Sequence, residues 1–375
     1  MHASELSALA LAAPWVSSPG PDNDVVIASR VRLSRNLAEY PFPGSQTEGP
    51  GDSAGIPAGS PAANAAGRPA ASQAAERVVA AVREELTPEP FGVDTLDINP
   101  GSLSAEARGL LAERSALEEP LPARLYLTAD ESMSISVCSV DHLRAAAILP
   151  GMDIRAALSR VREVDLSLER SLNYAVSLDW GYLSTEILNL GTAMRASVLV
   201  HLPALVALQR LAEISASLKG TGFELIDYPK AHKAPAGVGL ALLRNRRTLG
   251  SDEDAICAKL EEYTTTLVHY ERVAREELCA AHGSKIADTA HRALGLLRFA
   301  RSLSDTEAYT LVSELRLGVV AGVVDEVSIE GVTALFPIIQ ENHVHAGRGE
   351  GGESSVGDGT DVARAALVRR ALGES

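Results

Sequence analysis

The segment Val26–Asn36 (VIASRVRLSRN) constrains this chain more than any other. Its apolar and β-branched residues favour an extended strand, and a strand sends every second side chain to the same face. Arg30 and Arg32 therefore project together, with Arg35 just beyond them. Two guanidiniums held side by side repel each other unless an anion lies between them, which is the logic of a phosphate clamp. The plainer alternative is a pair of surface ion pairs. The rest of the chain sharpens this choice. Lys plus Arg number 34 against 49 for Asp plus Glu, a net charge of −15 over 375 residues. A field of that sign opposes non-specific binding to nucleic acid or to an anionic membrane, so a bound anion needs a local arginine cluster.

Composition shifts divide the chain. Residues 44–74 consist mostly of Gly, Pro, Ala and Ser without an aromatic residue, and read as a flexible insertion that cannot offset its ordering entropy. A helix is expected over 75–86, closed by Pro88 and Pro90. Residues 124–138 suggest a hairpin, 198–217 are apolar at helical spacing, and 223–226 and 237–243 resemble buried strands. Ser251, followed by three acids, is placed to cap a long helix to about Ala281 and Gly283, with helices at 285–303 and, capped by Ser304, at 305–317. The expected plan is an α/β domain over 1–250, a helical domain over 251–346, a linker over 347–359 and a terminal helix within 360–375. The start of the chain reads as a short amphipathic helix ending at Pro14, without the basic region of a signal peptide, and no apolar run is long enough to span a membrane. Cys138, Cys257 and Cys279 form no CxxC pair, which fits a reducing cytoplasm.

Two further arginines join the first pair. Arg144 follows Asp141-His142-Leu143, and Arg195 lies in Asn189–Ser197 (NLGTAMRAS), read as a glycine-containing turn leading through His201-Leu202-Pro203. VIASRVRLSRNL, DHLR, NLGTAMRAS and HLPAL, in this order, resemble the ATP:guanido phosphotransferases, and the bacterial protein-arginine kinase branch in particular. The resemblance covers most of the chain outside the two low-complexity segments. It implies an α/β (α+β) catalytic domain whose antiparallel sheet is flanked by helices, a helical C-terminal domain that supports dimerisation, and ATP with its Mg²⁺ as cofactor. By the same resemblance, Arg30, Arg32, Arg144 and Arg195 grip the phosphates, while Ser197 and His201 lie toward the adenosine. Such a site suits phosphoryl transfer, which depends on charge stabilisation and alignment.

The acceptor side departs from the family. A guanidinium has a pKa above about 12, so an enzyme must align it and help remove its proton. The family's Asn-Glu-Glu-Asp-His reads Cys138-Ser139-Val140-Asp141-His142, with Ser139 and Val140 in place of both glutamates. Glu186 stands where the family has a cysteine, and Gly-Thr-Gly has become Gly191-Thr192-Ala193. The specificity-loop stretch, 226–239, contains neither arginine nor glutamate. Loss of one general base costs about 10²–10⁴ in rate. The expectation is therefore an ATP-binding but catalytically impaired member acting as a pseudokinase, regulatory subunit or adaptor in protein quality control. The alternative is an active protein-arginine kinase in which Glu186 or Asp141 takes over the acceptor. Near the C-terminus, Asp361 and Arg364 match part of a motif resembling a phosphoarginine docking site, or simply belong to an amphipathic helix. His343-x-His345 lacks a third ligand nearby, and no metal site is expected.

Overall fold

The computed structural model describes residues 13–43, 68–86, 95–228, 238–346 and 358–373. The start of the chain, most of the insertion, the centre of the specificity loop and nearly all of the linker lie outside the described residues. Ten strands are described: β1 (Val26–Arg35), β2 (Leu96–Ile98), β3 (Arg124–Leu127), β4 (Met133–Val137), β5 (Leu143–Pro150), β6 (Val176–Ser177), β7 (Gly181–Tyr182), β8 (Met194–His201), β9 (Phe223–Asp227) and β10 (Leu240–Asn245). Eight of them form one sheet in the order β2-β3-β4-β5-β1-β8-β10-β9, and every pairing is antiparallel. This is the antiparallel α/β architecture expected from the sequence.

β1 occupies the middle of the sheet because its alternation suits two environments. Val31 and Leu33 are fully buried on one face, against the helix Ile154–Glu169, whose Ile154, Ala157, Leu158, Val161 and Val164 form a continuous apolar stripe. The first half of the long helix Glu253–Phe299 adds Ile256, Cys257, Leu260 and Leu267 to this core. A second core gathers the helices Asp305–Val320 and Asp358–Ala371 around Leu294, Leu297, Val312, Leu315 and Phe336. It covers one end of the opposite sheet face through Leu240 and Val238.

Several boundaries differ from the sequence expectation. The helix after the insertion begins at Arg68, so the end of the Ala-rich segment is helical. Val198–His201 is strand rather than helix, followed by two short helices, Pro203–Ala207 and Leu211–Ser217. Its alternating burial matches strand spacing, and the apolar residues between the polar ones satisfied both periodicities. Asp252, not Ser251, caps the long helix, accepting from Ala255 N at 2.6 Å. That helix breaks at His282 and resumes, as the glycine beside it led one to expect. Ser304 caps the next helix as read from sequence, accepting from Glu307 N. The terminal helix starts at Asp358, two residues before the stretch expected to hold it.

Arg316 ties three segments together from complete burial. Its guanidinium donates to Asn23 O (2.6 Å), Asp24 O (3.2 Å), Thr333 Oγ1 (3.0 Å) and His201 Nδ1 (2.9 Å). Charged donors that satisfy buried carbonyls leave several acceptors orphaned when removed. Arg316→Ala is expected to lower stability by about 3 kcal/mol or more, read from urea unfolding. A loss under about 1 kcal/mol would show that these carbonyls find water instead.

Candidate functional site

Directly opposed residues of an antiparallel pair leave the sheet on the same side. Across β1 and β8, Arg32 opposes Arg195 and Arg30 opposes Ser197. Across β1 and β5, Arg144 opposes Ser34, and across β8 and β10, Arg244 opposes Ser197. Glu224 on β9 in turn opposes Arg244. The register alone therefore gathers five arginines on one sheet face. Arg195 belongs to a strand, not to the turn expected from its glycine. The C-terminal helices cover one end of this face and leave the other as a cleft of about 480 Å³, lined by Arg30, Arg32, Arg195, Ser197, Glu186 and Arg246, among others. A narrower, largely apolar cavity of about 120 Å³ adjoins it, sharing Arg30 and Ser197 and walled by Trp15, Ile27, Leu199 and Phe336.

The arginines converge on a carboxylate that no motif pointed to. Glu118 accepts from Arg30 Nη2 at 2.7 Å, from Arg144 Nη1 at 3.2 Å, and from Arg32 Nη1. Although burial by itself would raise its pKa, these three guanidiniums hold it well below the usual carboxylate range. Burial, with the neighbouring guanidiniums, pulls Arg32 down to about 10, leaving it cationic at neutral pH. Only the accumulation of unneutralised arginines in an acidic chain hinted that such a counter-charge must exist.

Arg195 is aimed by its own turn. Its Nε donates to Asn189 Oδ1 at 2.9 Å and its Nη1 to Asn245 O at 3.1 Å. Gly191 allows this close approach: at φ +103°, a Cβ there would lie 2.4 Å from Thr248 O. Ala193, where the family has glycine, also holds positive φ (+51°) but carries a Cβ.

The acceptor positions take different roles. Ser139 Oγ donates to Pro120 O at 2.7 Å, and Val140 offers no polar group. Asp141 is buried and accepts from Asn36 Nδ2, Ser184 Oγ and Thr185 N while pairing with Arg144 at 3.3 Å, so its oxygens orient that arginine. Glu186, half-exposed, lies 3.5 Å from Arg144 and accepts from Asn189 at 2.7 Å. Glu224 accepts from Arg244 at 2.8 Å, with Arg246 at 3.5 Å. Cleft carboxylates beyond Glu186 are thus present, contrary to the acid-poor cleft read from sequence, and each is paired with an arginine. The Cys138 thiol is pushed up to about 12 by burial, so it is no thiolate at neutral pH.

Two expected site residues sit elsewhere. His201 shares the arginines' face but lies at its covered end, where Nδ1 accepts from Arg316 and Nε2 faces Ser313 Oγ at 2.8 Å. Burial first, then Arg316, keeps this histidine neutral. Arg364 is buried, donating to Ile339 O (2.9 Å), Leu303 O (2.7 Å) and Asp361 Oδ1 (2.7 Å). It ties the terminal helix down and does not present a docking guanidinium. His343 belongs to a helix and pairs with Glu113 at 2.7 Å.

The site is thus a sheet face of convergent arginines beside a largely apolar cavity. Comparison with known proteins supplies the family. The ATP:guanido phosphotransferase C-terminal catalytic domain model matches residues 101–274, and the protein-arginine kinase McsB C-terminal domain model matches 283–375. A protein-arginine kinase of Desulforamulus reducens is 33% identical over 83% of this chain and 82% of its own length. One of Brevibacillus brevis is 31% identical over 96% and 94%. The fold is also similar to lombricine kinase (TM-score 0.52, 16% identity, 67% of each chain) and to a duplicated taurocyamine kinase of Schistosoma mansoni (TM-score 0.54, 18% identity, 73% of this chain and 38% of that one). The chain belongs to the ATP:guanido phosphotransferase family.

Two tests follow from the geometry. Ala193→Gly is expected to raise stability by about 1 kcal/mol in urea unfolding, because it relieves a left-handed backbone bearing a Cβ. Glu118 has a folded pKa below its unfolded value, so its contribution is present above about pH 4.5 and lost as pH falls further. The stability gap between the wild type and Glu118→Gln should therefore shrink between pH 6 and pH 3, as followed by thermal melting across that range.

Proposed function

We propose that the protein binds ATP or ADP in this cleft, with Arg30, Arg32, Arg144 and Arg195 on the phosphates and the adjoining apolar cavity receiving the base near Ser197. Among the described residues, the two spaces meet at Arg30 and Ser197, which matches a ligand with one polyanionic and one flat apolar end. Mg²⁺ would enter with the nucleotide and would neutralise part of the phosphate charge.

We further propose that transfer to a guanidine is strongly impaired and that the protein serves as a regulatory or adaptor partner of protein quality control. The carrying observation is that Glu118, Glu186 and Glu224 are each paired with an arginine, while Ser139 and Val140 hold no carboxylate. A base already neutralised by a guanidinium is a poor acceptor for another guanidinium's proton. One observation favours the alternative, an active protein-arginine kinase: Glu186 lines the cleft and is half-exposed.

Calorimetry should detect MgADP binding at low salt, weakened at least tenfold (about 1.4 kcal/mol) by Arg195→Ala. Incubation with γ-labelled ATP and Mg²⁺ should leave no acid-labile phosphoryl label, on this protein or on an arginine-rich acceptor, above the Arg195→Ala background. Acid-labile label that vanishes in Arg195→Ala and in Glu186→Gln would establish the active alternative.

A further inference from the structure

Glu118 lies outside the motifs carried over from the family, yet it contacts three of the four arginines proposed to hold the phosphates. Its placement is built rather than incidental. The preceding Ala116 and Leu117 are buried in a small core with Leu103, Leu111, Leu125 and Leu127, and both donate backbone N–H groups to Leu111 O (2.9 and 3.1 Å). On the other side, Ser139 Oγ pins Pro120 O. This pinned Ser139 stands where the family has a glutamate. Arg30 also reaches back to Ser115 O at 3.4 Å. The segment therefore delivers a carboxylate to the mouth of the cleft from a fixed base, while Glu119 and Pro120, just beyond it, are exposed.

We propose that Glu118 is an intramolecular anion that holds the arginine clamp in place of a nucleotide's phosphates, and that nucleotide binds by displacing it. The inference rests on the nucleotide reading of the cleft. Across the whole face Arg30, Arg32, Arg144, Arg195, Arg244 and Arg246 outnumber Glu118, Asp141, Glu186 and Glu224, so positive charge is left over, and a di- or triphosphate with its metal can outcompete the Glu118 carboxylate for its donors. Glu118 lowers the fraction of molecules competent to bind and so weakens apparent affinity by that fraction. Its carboxylate remains ionised through the working pH range, so acid does not open the clamp under physiological conditions; a polyphosphate does.

The experiment is titration calorimetry of the full chain with MgADP, and with pyrophosphate as the base-free probe. Wild type, Glu118→Gln, Glu118→Ala and Arg195→Ala are compared. Both Glu118 variants should bind MgADP and pyrophosphate about tenfold or more tightly than the wild type, and Arg195→Ala more weakly. Should the variants fold poorly, hydrogen exchange in the wild type carries the test: amides of residues 115–123 should exchange faster with saturating MgADP. Equal affinity in wild type and Glu118 variants, with Arg195→Ala weakened, overturns the displacement and leaves the nucleotide site standing. Absence of binding in all four proteins overturns both. Unchanged or slower exchange over 115–123 under MgADP also overturns the displacement.

Discussion

Mutual repulsion among guanidiniums on one sheet face is the constraint around which the molecule is arranged. Arg30, Arg32, Arg144, Arg195 and Arg244 are fixed there by strand register, not by side-chain choice, because opposed residues in an antiparallel sheet must share a face. The sheet cannot relax that charge by turning a strand over, since a one-residue slip would send Val31 and Leu33 out of the core. The positive charge must therefore be met by anions reaching in from other segments. Glu118, Asp141, Glu186 and Glu224 each arrive from a different strand end or loop.

That requirement gives each of these cleft carboxylates an arginine partner. A carboxylate held by a guanidinium offsets the repulsion and is, by the same pairing, a weaker proton acceptor. On the reading proposed above, the site keeps its cationic half and uses its acidic half for neutralisation. On that reading, Glu118 paired with three arginines and Val140 with no polar group both favour holding an anion over activating an acceptor.

The covered end of the same sheet face follows a different rule. His201 continues the alternation of Arg195 and Ser197 along β8, yet the C-terminal helices close over it, so it stays neutral and serves Arg316 and Ser313. Arg316 and Arg364 are likewise drawn inward to satisfy carbonyls where helices and the N-terminal segment meet. Position along the strand does not distinguish a ligand-facing residue from a structural one; what packs above it does.

The sequence by itself determined the family, the antiparallel sheet with helices, the strand carrying Arg30 and Arg32, the hairpin of β3 and β4, and the helix starting after Ser304. Each depends on local periodicity, capping chemistry or contiguous motifs, all properties of neighbouring residues. It misread Val198–His201, because a short apolar run satisfies strand and helix spacing alike until a partner strand claims it. Only the tertiary structure decided that Glu118 meets Arg30 and Arg32, that Arg244 joins them, and that His201 and Arg364 are enclosed. Those contacts join residues up to about a hundred positions apart, and long-range charge pairing leaves no periodic trace in a single chain.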